Sequence, residues 1–266
     1  MRQGAVALFD ALGFKGIWSR EDPEKVISKL HAFQGAVDEE LDDVHSRTNR
    51  LGKELGIETK VTVALLSDTV VIGASGTIVD HHDRREQADC DSLALLALAR
   101  VTGKVLVRAA QSPPALAYRG CMAVGRFEMA GNFIIGPAVD EAAEAMDSAS
   151  AAAVWLTPSA VRAWTAQGFH KDEVFGAVLS PCVVPMKGGE RYETFAANDC
   201  ASIDDPLERM KHVERVIGTF KGNRMDIEIK RQNTVRLYVQ LNARLAPRPL
   251  GPEKPPEQGA LGDEQS

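Results

Sequence analysis

The chain opens on a run of apolar residues, Ala5-Val6-Ala7-Leu8-Phe9, and then places a carboxylate, Asp10, where a strand should end. Five consecutive apolar positions suit a central strand buried on both faces. After a turn at Gly13-Phe14, Glu21-Asp22-Pro23-Glu24 has the acidic first turn and early proline of a helix start. Val26, Ile27, Leu30, Phe33, Val37 and Leu41 continue at helical spacing towards Leu51. Ile57 to Leu66 is rich in β-branched residues. Ser67-Asp68-Thr69 is a polar turn and Val70-Val71-Ile72-Gly73 returns, which predicts a hairpin. A second helix fits Glu86 to Ala110; it is apolar nearly all round at Leu93, Leu95, Leu96 and Leu98 and is expected to be buried.

Further on, Ala117 to Gly125 reads as strand, Arg126 to Gly131 as a connection, and Asn132 to Ile135 as a short strand. Gly136-Pro137 starts a helix to Ser148, and Val154-Trp155-Leu156 is a strand. Thr157-Pro158-Ser159 caps a short helix, and Val174 to Phe195 alternates like sheet. The order β-α-β-β-α-β predicts an α+β fold, a ferredoxin-like sandwich with an antiparallel sheet and helices on one face. Asp204 to Leu245 is helical and more polar, and the proline-rich tail from Pro247 to Ser266 should be disordered. The expected division is an α+β body over 1–200, a helical extension over 201–246 and the tail over 247–266.

Composition adds bounds. With 44% apolar and 26% charged residues, the 266-residue chain has the balance of an ordinary soluble globular protein. A net charge of -6 gives no general attraction to nucleic acid or to an anionic membrane. Cys90, Cys121, Cys182 and Cys200 lack metal-type spacing and read as buried reduced thiols of a cytoplasmic protein. No apolar run approaches the roughly 20 residues of a membrane helix. Asp80-His81-His82-Asp83 reads as a polar loop, and Trp18, Trp155 and Trp164 as packing residues.

Taken alone, Asp10 is a turn aspartate, and so is Asp68. In a β-α-β-β-α-β sandwich, however, the first strand and the hairpin lie side by side, which puts both carboxylates on one rim. Such a pair, with a backbone carbonyl such as that of Ala11, can hold Mg²⁺ or Mn²⁺ and leave positions open for phosphate oxygens. Phosphoryl-transfer sites hold two ions roughly 3.5–4 Å apart in this way.

Five blocks in order resemble the catalytic domains of class III nucleotide cyclases. They are Phe9-Asp10-Ala11-Leu12-Gly13-Phe14, Leu66-Ser67-Asp68-Thr69-Val70-Val71, Arg119-Gly120-Cys121-Met122-Ala123-Val124-Gly125, Ile135-Gly136-Pro137-Ala138-Val139-Asp140-Glu141-Ala142-Ala143, and Met186-Lys187-Gly188-Gly189 with Thr194-Phe195. The departures are informative. Where purine cyclases carry a transition-state asparagine and arginine, this chain has Asp140 and Glu144; the adenine-reading positions fall on Ala64 and Phe133. The strand Tyr118-Arg119-Gly120 to Gly125, followed by Ile135-Gly136-Pro137-Ala138, is similar to the pyrimidine cyclases of bacterial Pycsar antiphage defence.

That resemblance implies a cytoplasmic homodimer with sites between subunits that converts UTP to 3′,5′-cyclic UMP and pyrophosphate. The product would act through a separate cyclic-nucleotide effector. CTP giving cyclic CMP is the near alternative, and a catalytically silent module that dimerises and binds nucleotide is the alternative of another class. Two Mn²⁺ or Mg²⁺ ions would sit on Asp10, Asp68 and the carbonyl of Ala11. Backbone amides around Leu12, Gly13 and Phe14 would cradle phosphate oxygens. Lys187 is either a triphosphate cation or a solvated lysine before the Gly188-Gly189 turn. Arg119 and Arg126 are candidates to replace the missing arginine, or strand-end ion-pair residues. Phe9 and Phe133 either stack on the base or pack in the core, the core reading being the stronger for Phe9.

Overall fold

A computed structural model describes residues 1–12, 14, 22–54, 56–79, 87–131, 133–243 and 245 of the chain. The Asp80–Asp83 loop, Trp18, Gly13 and the tail over 247–266 lie outside the described residues.

Strand β1 (Arg2–Leu12) leads through α1 (Pro23–Glu54) to the hairpin β2 (Ile57–Leu66) and β3 (Thr69–Ile78). Helix α2 (Gln87–Gln111) then leads to β4 (Ala117–Ala130), whose far end pairs with β5 (Phe133–Ile135). Helix α3 (Pro137–Ala145), β6 (Val154–Leu156), α4 (Pro158–Ala166), the short α5 (Glu173–Val178), β7 (Leu179–Pro185) and β8 (Arg191–Ala197) follow. Helices α6 (Pro206–Gly218) and α7 (Met225–Asn242) end the described chain. The sheet order is β2-β3-β1-β4-β6-β8-β7, and β1 runs antiparallel to both β3 and β4. Its first four strands are the predicted β-α-β-β-α-β unit, with β1 at the centre. The fold is α+β.

Strand periodicity explains the layers. Ala5, Ala7, Phe9 and Ala11 of β1 point into one apolar cluster with Val26, Phe33 and Val37 of α1 and the leucines of α2. Val6 and Leu8 point the other way, into a second cluster with Ala138 and Ala142 of α3 and Leu237 and Leu241 of α7. Helices on one face was therefore an incomplete expectation: a strand apolar on both faces needs cover on both, and the C-terminal extension supplies part of it. Helix α7 also guards the edge strand β7. The Val183 N–H donates to the Gln240 side chain at 2.8 Å, and Asn198 Nδ2 donates to the Leu241 carbonyl at 2.9 Å.

Two local expectations are corrected and a third is sharpened. β4 does not end at Gly125 but continues to Ala130, because its last residues pair with β5 to form a two-stranded arm. The segment from Val174 is not strand throughout: it is helical to Val178, and only then does β7 begin. The polar extension is two helices, whose buried faces are carried by His212 and Val216 in α6 and by Thr234, Leu237, Tyr238 and Leu241 in α7. Among the described residues no helix is long and apolar enough to cross a membrane.

Candidate active site

The register of the central strands sets the candidate site. Asp10 stands opposite Thr69 of β3 on one side and opposite Arg119 of β4 on the other. Asp68 occupies the two-residue turn between β2 and β3, and its carbonyl accepts the Ala11 N–H at 3.0 Å. The turn is tight enough to hold Ser67 at a φ of 63°, a left-handed conformation uncommon for a residue other than glycine. Both aspartates therefore lie on one rim, and the charge of Asp68 acts on the Asp10 carboxyl.

Asp10 belongs to the same face of β1 as Val6 and Leu8, the α3–α7 face. Its Oδ1 is buried with no hydrogen-bond partner, while Oδ2 is 3.6 Å from the Arg119 guanidinium. Burial is the main influence on this carboxyl and pushes its pKa above the ordinary value. Arg119 opposes the shift, whereas Asp147 and Asp68 add to it. Tyr118, edge-on to Phe9 at 5.4 Å between ring centroids, is held protonated by burial and then by the two aspartates. A buried oxygen without a donor, next to a second carboxylate, fits a divalent cation. Asp10, Asp68 and the Ala11 carbonyl are the groups that could hold it.

Arg119 reaches this rim because β4 lies hard against β1. A Cβ on Gly120 would meet the Leu8 carbonyl oxygen and the backbone of Phe9, so only glycine fits there. Arg119 itself is buried, with 7% of its surface exposed. Its guanidinium also pairs with Asp147, just beyond the end of α3, and the same carboxylate pairs with Lys187. The hydrogen bond with Lys187 is the largest influence on Asp147 and holds its carboxyl below the ordinary value. A chain of charges thus runs Asp68, Asp10, Arg119, Asp147, Lys187. Asp147 was missed in the sequence because nothing in its local pattern marks it; only the meeting of α3 with the β7–β8 turn brings it between two cations. That turn is anchored beside α3 by the Lys187 N–H, which donates to the Ser148 carbonyl at 2.7 Å.

The other expected residues separate. Phe9 is not at a ligand surface. It is fully buried among α1 and α2, since its strand position sends it to the face opposite Asp10. Phe14 likewise buries its ring against Val26, Leu30 and Phe33. Leu12 closes β1 opposite Ala117 and packs on the cluster that includes Cys200 and Tyr238. Phe133 is 81% exposed on the β4–β5 arm, with Ile135 beside it at 61%. Arg126 stands opposite Gln3, seven residues from Arg119 along β4, which at strand spacing is about 23 Å away. Of the two candidate arginines only Arg119 meets the rim. Asp140 and Glu144 are exposed on α3, and Ala64 is buried in β2.

A second group of ligand-type side chains lies elsewhere. Asp199, Cys200 and His212 are buried, with potential ligand atoms within 4.8 Å of one another. Here the protein itself satisfies the carboxylate. Oδ2 accepts the Tyr238 hydroxyl at 2.6 Å and shares a 2.7 Å hydrogen bond with His212 Nε2, while Oδ1 accepts the Cys200 N–H at 2.9 Å. Burial pushes the Cys200 thiol up, away from the thiolate a metal would need. The arrangement clasps α6 and α7 to the short 3₁₀ turn at Asp199–Ser202. All four cysteines are buried and free.

No protein-family model and no curated protein sequence matches the chain. Among solved structures it is similar to the catalytic core of a rhodopsin-guanylyl cyclase with converted specificity, in complex with ATPαS. That match has 13% identity and a TM-score of 0.36, and covers 73% of this chain and 95% of that one. It is also similar to an adenylate cyclase from Trypanosoma brucei in its monomeric state, at 11% identity and a TM-score of 0.37, over 73% and 89% of the two chains. Identities and TM-scores are low, so what this chain does has to come from its own side chains.

Proposed function

We propose that this chain is a nucleotide cyclase that converts UTP to 3′,5′-cyclic UMP and pyrophosphate. The observation that carries the reading is the meeting of Asp10 and Asp68 on one rim, with Asp10 Oδ1 buried and unpartnered. Arg119, shared with Asp147, does not offset the burial of Asp10 beside a second carboxylate, and a bound cation would. Divalent cations bound there would supply Lewis-acid chemistry, acidifying the ribose 3′-hydroxyl and neutralising charge on the phosphates.

The residues of the chain do the rest. The 3′-oxygen forms a bond to the α-phosphorus as the bond from that phosphorus to the bridging oxygen breaks; the hydroxyl proton passes to solvent and pyrophosphate leaves. Arg119, fixed by burial between Asp10 and Asp147, is the guanidinium placed to meet charge that develops on the phosphorus. It takes the part of the arginine that α3 lacks at Glu144. Lys187, paired with Asp147 in the free chain, would turn its ammonium to the outer phosphates, and backbone amides around Leu12, Gly13 and Phe14 would add donors.

The base is read elsewhere. Phe133 is too exposed to line a pocket in one chain, so its ring reaches a base only when a second copy brings the β4–β5 arm against the partner's rim. The exposed Phe133 and Ile135 favour such a homodimer. The choice of uracil over cytosine, and a role in antiphage signalling through a cyclic-nucleotide effector, rest on the resemblance of the β4 and α3 motifs to the Pycsar cyclases.

Incubating the purified chain with each nucleoside triphosphate and Mn²⁺, with products identified by mass, tests the whole reading. Cyclic UMP as the main product is expected. Cyclic CMP moves the specificity to the neighbouring base, a cyclic purine overturns the base assignment, and no product favours a silent nucleotide-binding module.

A further inference from the structure

A groove of about 670 Å³ runs between the β7–β8 turn and α7. Four cations line it, Lys187 from the turn, Arg191 from the start of β8, and Lys230 and Arg236 from the helix, against the carboxylates Glu190 and Asp226. Asp226 is already paired with Arg224 at 3.0 Å. The groove is of the size that takes a small organic ligand, and its unbalanced charge selects an anion.

The ion pairs of its lysines sharpen this. Lys187 is held by Asp147, and Lys230 acts on the same carboxylate through space. Arg119, buried and with its Nε lacking any partner, pairs with that carboxylate as well. Three cations from three separate elements thus converge on one carboxylate. Asp147 itself follows the C-terminal end of α3, where the helix dipole disfavours negative charge. Its place is set by the cations and not by its own helix. A phosphate carries more charge and more acceptor oxygens than a carboxylate, so it would outcompete Asp147 for the same donors.

We propose that the groove between the β7–β8 turn and α7 binds a polyphosphate chain through Lys187, Arg191, Lys230 and Arg236, and that Asp147 is the internal anion this chain displaces. Lys187 is shared with the cyclase reading, and Arg119 is linked to it through Asp147. Binding in the groove needs neither Asp10 nor Asp68, so it can be measured where cyclase chemistry cannot occur.

The test is titration calorimetry on the full-length chain in EDTA, with inorganic tripolyphosphate as the probe and sulfate and UTP beside it. Saturable binding of tripolyphosphate, clearly tighter than sulfate, is expected. Lys230→Ala combined with Arg236→Ala, at positions away from the core, should weaken it about tenfold or more. Asp147→Asn should tighten it severalfold, whereas Asp68→Ala should bind as the parent does. Equal affinity for UTP and tripolyphosphate would place recognition in the phosphates, and tighter UTP binding would add contacts to the nucleoside; both support the site. Absence of saturable binding, sulfate binding as well as tripolyphosphate, or a double variant that binds unchanged would overturn it. So would weaker binding by Asp147→Asn, which would make Asp147 a structural ion-pair partner.

Discussion

Asp10 and Asp199 are both carboxylates near a buried tyrosine, and they differ in what reaches them. Asp199 receives a backbone N–H, a hydroxyl and an imidazole, so each oxygen has a donor from the chain. Asp10 has one oxygen without a donor, the other at 3.6 Å from a shared guanidinium, and a second carboxylate close by. The first is a finished polar network that ties the C-terminal helices to the body. The second is incomplete within the chain. An acid whose partners all come from the protein holds structure together, and one left short of partners is available to a ligand.

Substitution should separate the two. The largest effect belongs to Asp68→Ala. Nucleotide turnover should fall by more than about a thousandfold, because metal-based stabilisation of several kcal/mol is lost at about 1.4 kcal/mol per decade. The circular dichroism spectrum and melting temperature should hold, since the half-buried Asp68 side chain contributes no packing to the core. Turnover that survives this change would sink the assignment of the rim.

Arg119→Met is expected to reduce turnover about 10²–10³-fold, the range for removing one preorganised donor. Mn²⁺ binding, followed by calorimetry, should persist. Loss of Mn²⁺ binding together with activity would instead make Arg119 a residue that only shapes the carboxylate pair.

Asp199→Ala should behave in the opposite way. Removing one partner from a buried hydrogen-bonded charge destabilises by about 3–5 kcal/mol, visible as a lower denaturant midpoint. Turnover per folded molecule should be close to that of the parent. If Asp199→Ala abolished turnover without loss of stability, the clasp would itself be a functional site.

The smallest effect is on the stability of the metal-free protein. The Asp10 pKa is raised in the folded state, so the folded chain binds that proton more tightly than the unfolded chain does. The contribution of Asp10 is therefore neutral below the unfolded carboxylate value of about 3.9 and becomes destabilising as pH rises through the folded value. Without divalent cation, Asp10→Asn should melt higher than the parent at neutral pH, and the gain should vanish at acid pH. Added Mn²⁺ should stabilise the parent and leave the variant unchanged. A variant that melts lower at neutral pH would show that the ionised Asp10 supports the fold.

Much of this architecture is legible along the chain. A strand apolar at five consecutive positions has to be central, and a β-branched pair joined by Ser67-Asp68 has to be a hairpin. The two together place Asp10 and Asp68 on one rim before any coordinate is known. That Gly120 must be glycine, because a Cβ there would meet the backbone of β1, is known only from the packed sheet.

The tertiary structure alone decided which partners meet. Strand parity sends Phe9 inward and Asp10 to the other face, and cross-strand register puts Arg119 opposite Asp10 and Arg126 opposite Gln3. Asp147 reaches Arg119 and Lys187 only because the end of α3 and the β7–β8 turn meet above the sheet, far apart as they are in the chain. Local pattern determines what each segment becomes, since helix and strand periods act over a few residues. The charges that complete or leave open a site are set by packing between segments, and no local period encodes it.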